Sequence, residues 1–294
     1  MELIPHDGIS LISITRGFLG ISTILVIAYL LSNNKKNIDW KTIGIGVLSQ
    51  LIIAVGVIKV DAVAIFFEKI GEVFLAIVVF TNAGTKVLFG ELADSEKYGA
   101  IFAFQILPVI IFFSALTSVL YYYGIIQKVV KGMAWLLSKL LNISGQESLA
   151  VVGNIFLGQT EAPLLVKGYL NKMNRSEYFL LMTGGMATVA GSVLAAYIGF
   201  LGGDDPVQRI EVAKNLIIAS VMAAPGAIVI SKLIYPQDEK INKDFKVNED
   251  ITGNNLLTAI TNGTRDGIKM AVNVGAMLLV FLALIALING ILFQ

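Results

Sequence analysis

Apolar residues in this chain come in long runs with few charges, beginning with Leu11 to Leu31, which holds the single charge Arg16. A helix needs about 20 such residues to cross about 30 Å of hydrocarbon. In lipid the backbone must satisfy its own hydrogen bonds, so only helices or a closed barrel remain. The runs do not alternate apolar with polar, which excludes a barrel. Composition agrees: 56% of the 294 residues are hydrophobic, 15% are charged and the mean hydropathy is +0.78. Soluble domains carry about 25% charged residues. The expectation is an all-α integral membrane protein.

The same numbers exclude several functions. A net charge of +1 leaves no basic footprint for nucleic acid. There is no cysteine, and the single histidine is His6, so a thiolate site, a zinc site, a histidine triad or a haem is excluded. No enzyme and no organic cofactor are expected. Glu2 and Asp7 precede a long first run with no small-residue cleavage site after it, so that run reads as a span rather than a signal peptide.

About six spans are expected. They lie at 11–32, 41–59, 100–121, 177–201, 212–234 and 268–292. Lys35, Lys36 and Lys41 suggest a cytoplasmic loop, which puts the N-terminus outside. Tyr121, Tyr122 and Tyr123 suit an interfacial aromatic belt. The loop at 236–250 mixes both charges and reads as solvated. Three segments are amphipathic, at 61–72, 127–142 and near 254–264, and suit helices lying in the membrane surface or packed on protein.

Residues 145–173 do not fit a plain span. Ser144 and Glu147 have capping-box spacing, as do Asn174 and Glu177. The apolar run Leu149 to Leu157 is too short to cross a bilayer and is broken by Gly158-Gln159-Thr160-Glu161. A second short run follows from Ala162 to Val166, with Thr160 suited to cap it and Pro163 tolerated in its first turn. This pattern reads as a re-entrant hairpin of two half-helices, with a polar tip that protein or a water-filled cavity must satisfy. Short Gly/Pro-interrupted apolar segments point to a transporter's substrate site. An ordinary loop between two surface helices is the alternative.

The following span contains Thr183-Gly184-Gly185-Met186-Ala187-Thr188-Val189-Ala190-Gly191-Ser192. So many small residues serve either close helix packing or a locally unwound helix that binds an ion through oxygens. Asn154, Thr188 and nearby carbonyls would suit sodium. Gly202-Gly203-Asp204-Asp205 has GxGD spacing, but no second intramembrane aspartate accompanies it, and it reads as a polar turn. Arg265, Asp266 and Lys269 read as the start of the last span, with Asp266 facing the helix dipole. Asn273 and Asn289 suit interhelical hydrogen bonds.

The string Gly153 to Pro163, then Gly184 to Ala195, resembles the concentrative nucleoside transporter family. Gly267 to Gly290 looks like that family's sixth spanning helix, and Asn34-Lys35-Lys36 after the first span looks like its bacterial eight-span members. The resemblance implies a multi-pass protein of the cell membrane, a homotrimer, and nucleoside uptake driven by sodium or protons. By motif, Gly158, Gln159, Thr160, Glu161 and Val193 would bind nucleoside. Asn154, Leu157, Thr188 and Val189 would bind sodium, Leu157 and Val189 through their carbonyls. The family's second hairpin and last two spans, which carry ribose contacts, have no counterpart up to Gln294. The expected organisation is 1–100 for the N-terminal spans and first interfacial helix, and 101–142 for a scaffold span and surface helix. Residues 143–250 form the hairpin, the broken fourth span and the fifth span; 251–294 form an interfacial helix and the sixth span. The expected function is a sodium-coupled nucleoside symporter, or its N-terminal two thirds. Alternatives are proton coupling through Glu161, another secondary transporter, and a membrane module without transport of its own.

Overall fold

The computed structural model describes residues 11–98, 101–159, 162–203, 205–239, 241 and 255–292, and every regular element among them is helical. Helix α1 (Leu11–Leu30) leads through a short loop to α2 (Trp40–Lys59), whose first turn is capped by Asp39 accepting from the Lys41 and Thr42 amides. Helix α3 (Asp61–Phe89) follows, then a span from Phe102 to Tyr122, made of one helical turn Phe102–Gln105 and α4 (Leu107–Tyr122). Gly124, at φ +73°, turns the chain into the amphipathic α5 (Ile125–Leu141). A glycine there carries no Cβ penalty in left-handed backbone.

The hairpin region comprises α6 (Gly145–Phe156), a turn, the single-turn α7 (Ala162–Leu165) and a 3₁₀ segment Lys167–Lys172. Both expected capping boxes are present. Ser144 and Glu147 exchange bonds at the start of α6, and Asn174 and Glu177 do so at the start of α8 (Arg175–Ala187). After a break come α9 (Gly191–Leu201), α10 (Pro206–Ile234) and α11 (Leu256–Leu292). By length and composition, five described stretches suit membrane crossing: α2, Phe102–Tyr122, Arg175–Leu201, α10 and α11; α1 holds the shorter apolar run Ile14–Leu30.

The structure differs from expectation at three places. The segments 61–72 and 254–264 are not separate surface helices. The first is the beginning of α3, and the described part of the second is continuous with the last span in α11. Polar residues alone do not end a helix, and no proline interrupts either stretch. Asp266 consequently lies well inside α11 and has no helix N-terminus to face. Helix α10 starts at Pro206 rather than 212, because Asp205 caps it and proline fits its first position.

Burial is concentrated on α6, where every residue from Gly145 to Ile155 is buried. Leu149, Ala150 and Val152 pack with Val130 and Ala134 of α5 and with Ala162 and Leu165 of α7. Val151 and Ile155 pack with Leu180 of α8 and with Ala224 and Ile228 of α10. Helix α11 is the opposite case. Its buried residues Ala259, Gly263, Gly267 and Ala271 form a stripe of small residues against α4. A Cβ on Gly267 would lie 2.8 Å from Ile111 Cα, so only small residues permit this approach.

Candidate functional site

Helix α6 ends where Leu157 adopts extended backbone (φ −99°, ψ 162°) while its amide still donates to Gly153 O at 2.7 Å. Gly158 O then accepts from the Ala162 amide at 2.9 Å, which closes the turn into α7. Gly153 is required for this return. A Cβ there would lie 2.5 Å from Leu165 Cδ1 and 3.4 Å from Ala162 Cβ. The two arms of the hairpin therefore pack directly on one another.

Opposite the turn, the helical ladder fails between α8 and α9. Thr188 is extended (φ −113°, ψ 160°), and Val189 and Ala190 lie outside both helices. The last four carbonyls of α8 lose their intrahelical partners. One of them, Gly184 O, accepts the Thr188 hydroxyl at 2.9 Å. On the far side of the break, a Cβ on Gly191 would lie 2.5 Å from Phe113 Cε1 and 2.8 Å from Phe156 O. The broken segment is thus wedged against the end of α6 and against α4.

Asn154 sits at the centre of this arrangement. It is 1% exposed, and neither Oδ1 nor Nδ2 finds a hydrogen-bond partner among the described residues. A Cβ built on Gly184 would lie 3.3 Å from Asn154 Nδ2. One built on Gly185 would lie 3.7 Å from Asn154 Oδ1 and 3.0 Å from Gln159 Cβ. The paired glycines therefore form the floor on which the Asn154 amide and the hairpin turn rest. An unpaired buried amide costs about 1–3 kcal/mol, so its retention points to a partner with complementary chemistry.

The sequence-predicted residues divide as follows. Asn154, Gln159 and Gly184–Gly185 meet, with Thr188 one turn on from the glycines. Gly158 is buried and Gln159 exposed at the turn. Leu157 packs its side chain with Leu149 and Val166, and Val189 packs with the cluster around Phe67 and Leu194. Val193 is half-buried in the first turn of α9. Thr160 and Glu161 lie outside the described residues. A separate groove of about 660 Å³ between α3, α4 and α11, lined by Phe80, Leu88, Phe112, Leu116 and Ile268 among others, holds no charged side chain and touches neither hairpin nor break.

Sequence reasoning missed the polar cluster where α6 and α8 begin. Lys232 of α10 donates to Glu147 Oε1 at 2.5 Å and to Ser176 Oγ at 2.9 Å, with both charged groups buried. Gln146 Nε2 donates to Glu177 Oε1 at 2.9 Å. The partners are 85 and 31 residues apart, so no local pattern signals them.

Three family models match the chain. They are described as Na+ dependent nucleoside transporter N-terminus (residues 19–92), nucleoside recognition (103–204) and Na+ dependent nucleoside transporter C-terminus (215–294). An uncharacterized transporter of Haemophilus influenzae is 42% identical over 95% of this chain and 66% of its own length. The human sodium/nucleoside cotransporter 1 is 39% identical over 93% of this chain and 40% of its own. The chain thus spans only part of the length of these relatives. The solved structure of CNTnw in an inward-facing substrate-bound state superposes with a TM-score of 0.87 at 37% identity, covering 96% of this chain and 68% of that one. An outward-facing structure of a CNTnw variant gives 0.84 at 38% identity, covering 93% and 65%. With its hairpin, its broken span and these matches, the chain belongs to the concentrative nucleoside transporter family, a family of membrane transporters and not of enzymes.

Proposed function

We propose that this chain supplies the sodium-binding wall and the nucleobase-facing hairpin of a sodium-coupled nucleoside symporter. The observation that carries the reading is the buried, unpartnered Asn154 amide facing the glycine floor beside a helix break. Hard cations of this kind take oxygen ligands, and the local donor set fits. Asn154 Oδ1 is unpaired, the Thr188 hydroxyl retains acceptor capacity after donating to Gly184 O, and carbonyls are freed at the break. Asn154, Thr188 and the carbonyls of Leu157 and Val189 are assigned to sodium. Bound there, sodium supplies the charge through which a gradient drives uptake. Gly158, Gln159, Thr160, Glu161 and Val193 are assigned to nucleoside, with Gln159 offering an amide donor and acceptor at the turn.

Because Gln159 and Asn154 share the same glycine floor, ordering one side orders the other. Sodium and nucleoside then favour each other's binding reciprocally. The hairpin is taken to enter the bilayer from one side, and the assembly to be a homotrimer in the cell membrane, on the family's pattern. The test is paired. Asn154→Ala raises the sodium concentration for half-maximal nucleoside binding, while Gln159→Ala weakens nucleoside binding at saturating sodium by about tenfold, the loss of roughly one hydrogen bond. An unchanged sodium curve in the first variant, or unchanged uridine calorimetry in the second, refutes the assignment.

A further inference from the structure

The seat of Asn154 is built from two packed helices, α6 carrying Asn154 and α8 carrying Gly184–Gly185, and both rise from a common base. Each helix begins with a capping box, and each capping glutamate is used twice. Glu147 Oε2 accepts from the Ser144 amide at 2.9 Å, and its Oε1 accepts from Lys232. Glu177 Oε2 accepts from the Asn174 amide at 3.0 Å, and its Oε1 accepts from Gln146 Nε2. A capping box needs only one of the two carboxylate oxygens. The second oxygen of each is spent joining helices.

Lys232 completes the clasp. Its ammonium has three donors, and they reach Glu147 of α6, Ser176 of α8 and, at 3.1 Å, Gln237 just beyond α10. Ser176 Oγ in turn donates to Tyr235 O at 2.6 Å. The side chains of Glu147 and Lys232 are 0% and 7% exposed. A buried ion pair of this kind is often no more stabilising than well-packed apolar residues of similar volume. What the pair provides that apolar residues do not is directional bonding, which fixes how far α6 stands along α8. Asn154 lies seven residues above Glu147, about 10 Å along the helix. A slip at the base therefore displaces the amide from its glycine floor.

We propose that Lys232 is a positioning residue for the cation site: by tying Glu147 to Ser176 it sets the register of α6 against α8, and so the seat of Asn154 over Gly184–Gly185. The inference rests on the assignment of Asn154 to sodium. Groups that orient a metal's ligands change its affinity by about 10–100-fold when removed.

The test uses the purified chain and sodium alone, and reads the sodium concentration that gives half of the ion's thermal stabilisation. Lys232→Met is expected to raise that midpoint about tenfold, and Lys232→Arg, which keeps the charge, to recover most of the shift. Should Lys232→Met fail to fold, the double variant Glu147→Met with Lys232→Met removes both buried charges and is expected to fold with the same raised midpoint. A folded variant of either kind that melts differently but keeps the original midpoint shows a purely structural clasp and overturns the inference. A wild-type chain indifferent to sodium overturns this inference together with the cation assignment. A sodium-responsive wild type with unshifted variants overturns this inference alone.

Discussion

Two long apolar stretches differ in continuity in the opposite sense to their proline content. Helix α10 contains Pro225 and runs unbroken from Pro206 to Ile234. The stretch Arg175–Leu201 contains no proline, yet it is broken at Thr188–Ala190. An interior proline removes one backbone donor and crowds the preceding turn. In α10, Gln50 of α2 donates to Met222 O at 3.0 Å, in the turn that precedes the proline. Gly226 leaves the room, since any Cβ there would overlap Gln50 Nε2. A neighbouring helix thus braces the turn around the proline with an added hydrogen bond. In the other stretch the neighbour does the reverse. The end of α6 and Phe113 occupy the space at Gly191, and the chain detours around them. Helix continuity here is set by what stands beside the helix more than by the residues within it.

Three substitutions test this contrast. Gly191→Ala should have the largest effect, because its Cβ overlaps Phe113 and Phe156 O; the loss of stability should be about 1–3 kcal/mol. Thermal unfolding in detergent reads it, and an unchanged melting temperature would show that the wedge is loose. Gln50→Leu should cost about 1 kcal/mol by leaving a backbone acceptor of α10 without its added donor. Hydrogen exchange around residues 221–226 should rise in step, and unaltered protection there would mean that the turn does not depend on this brace. Thr188→Ala should be the mildest, at about 0.5 kcal/mol for one bond to Gly184 O. Thr188→Ser should match the wild type; equal losses from both would assign the effect to packing rather than to the hydroxyl.

Much of the local backbone structure around the candidate site was legible. The Ser144/Glu147 and Asn174/Glu177 boxes lie within single turns, so their spacing alone announces them. The glycine-rich run from Thr183 to Ser192 marked the region of the break, but not residues 188–190, because Phe113 and Phe156 decide the place. The Lys232 clasp was not legible: a lysine near the end of an apolar span normally reaches for the interface, and only folding brings Glu147 to it. The lengths of α3 and α11 were underestimated because charged residues such as Asp266 read as helix ends while lying within continuous helix.

By itself the sequence determined the membrane setting, the all-helical architecture and the two capping boxes that start α6 and α8. These follow from run length and capping, which are properties of neighbouring residues. Tertiary structure alone decided that Asn154 is buried without a partner over Gly184–Gly185, that α8 and α9 separate at Thr188, and that Lys232 joins two capping boxes. Each depends on side chains distant in sequence meeting where an added Cβ or an unmatched partner would not fit, and local periodicity carries no record of that.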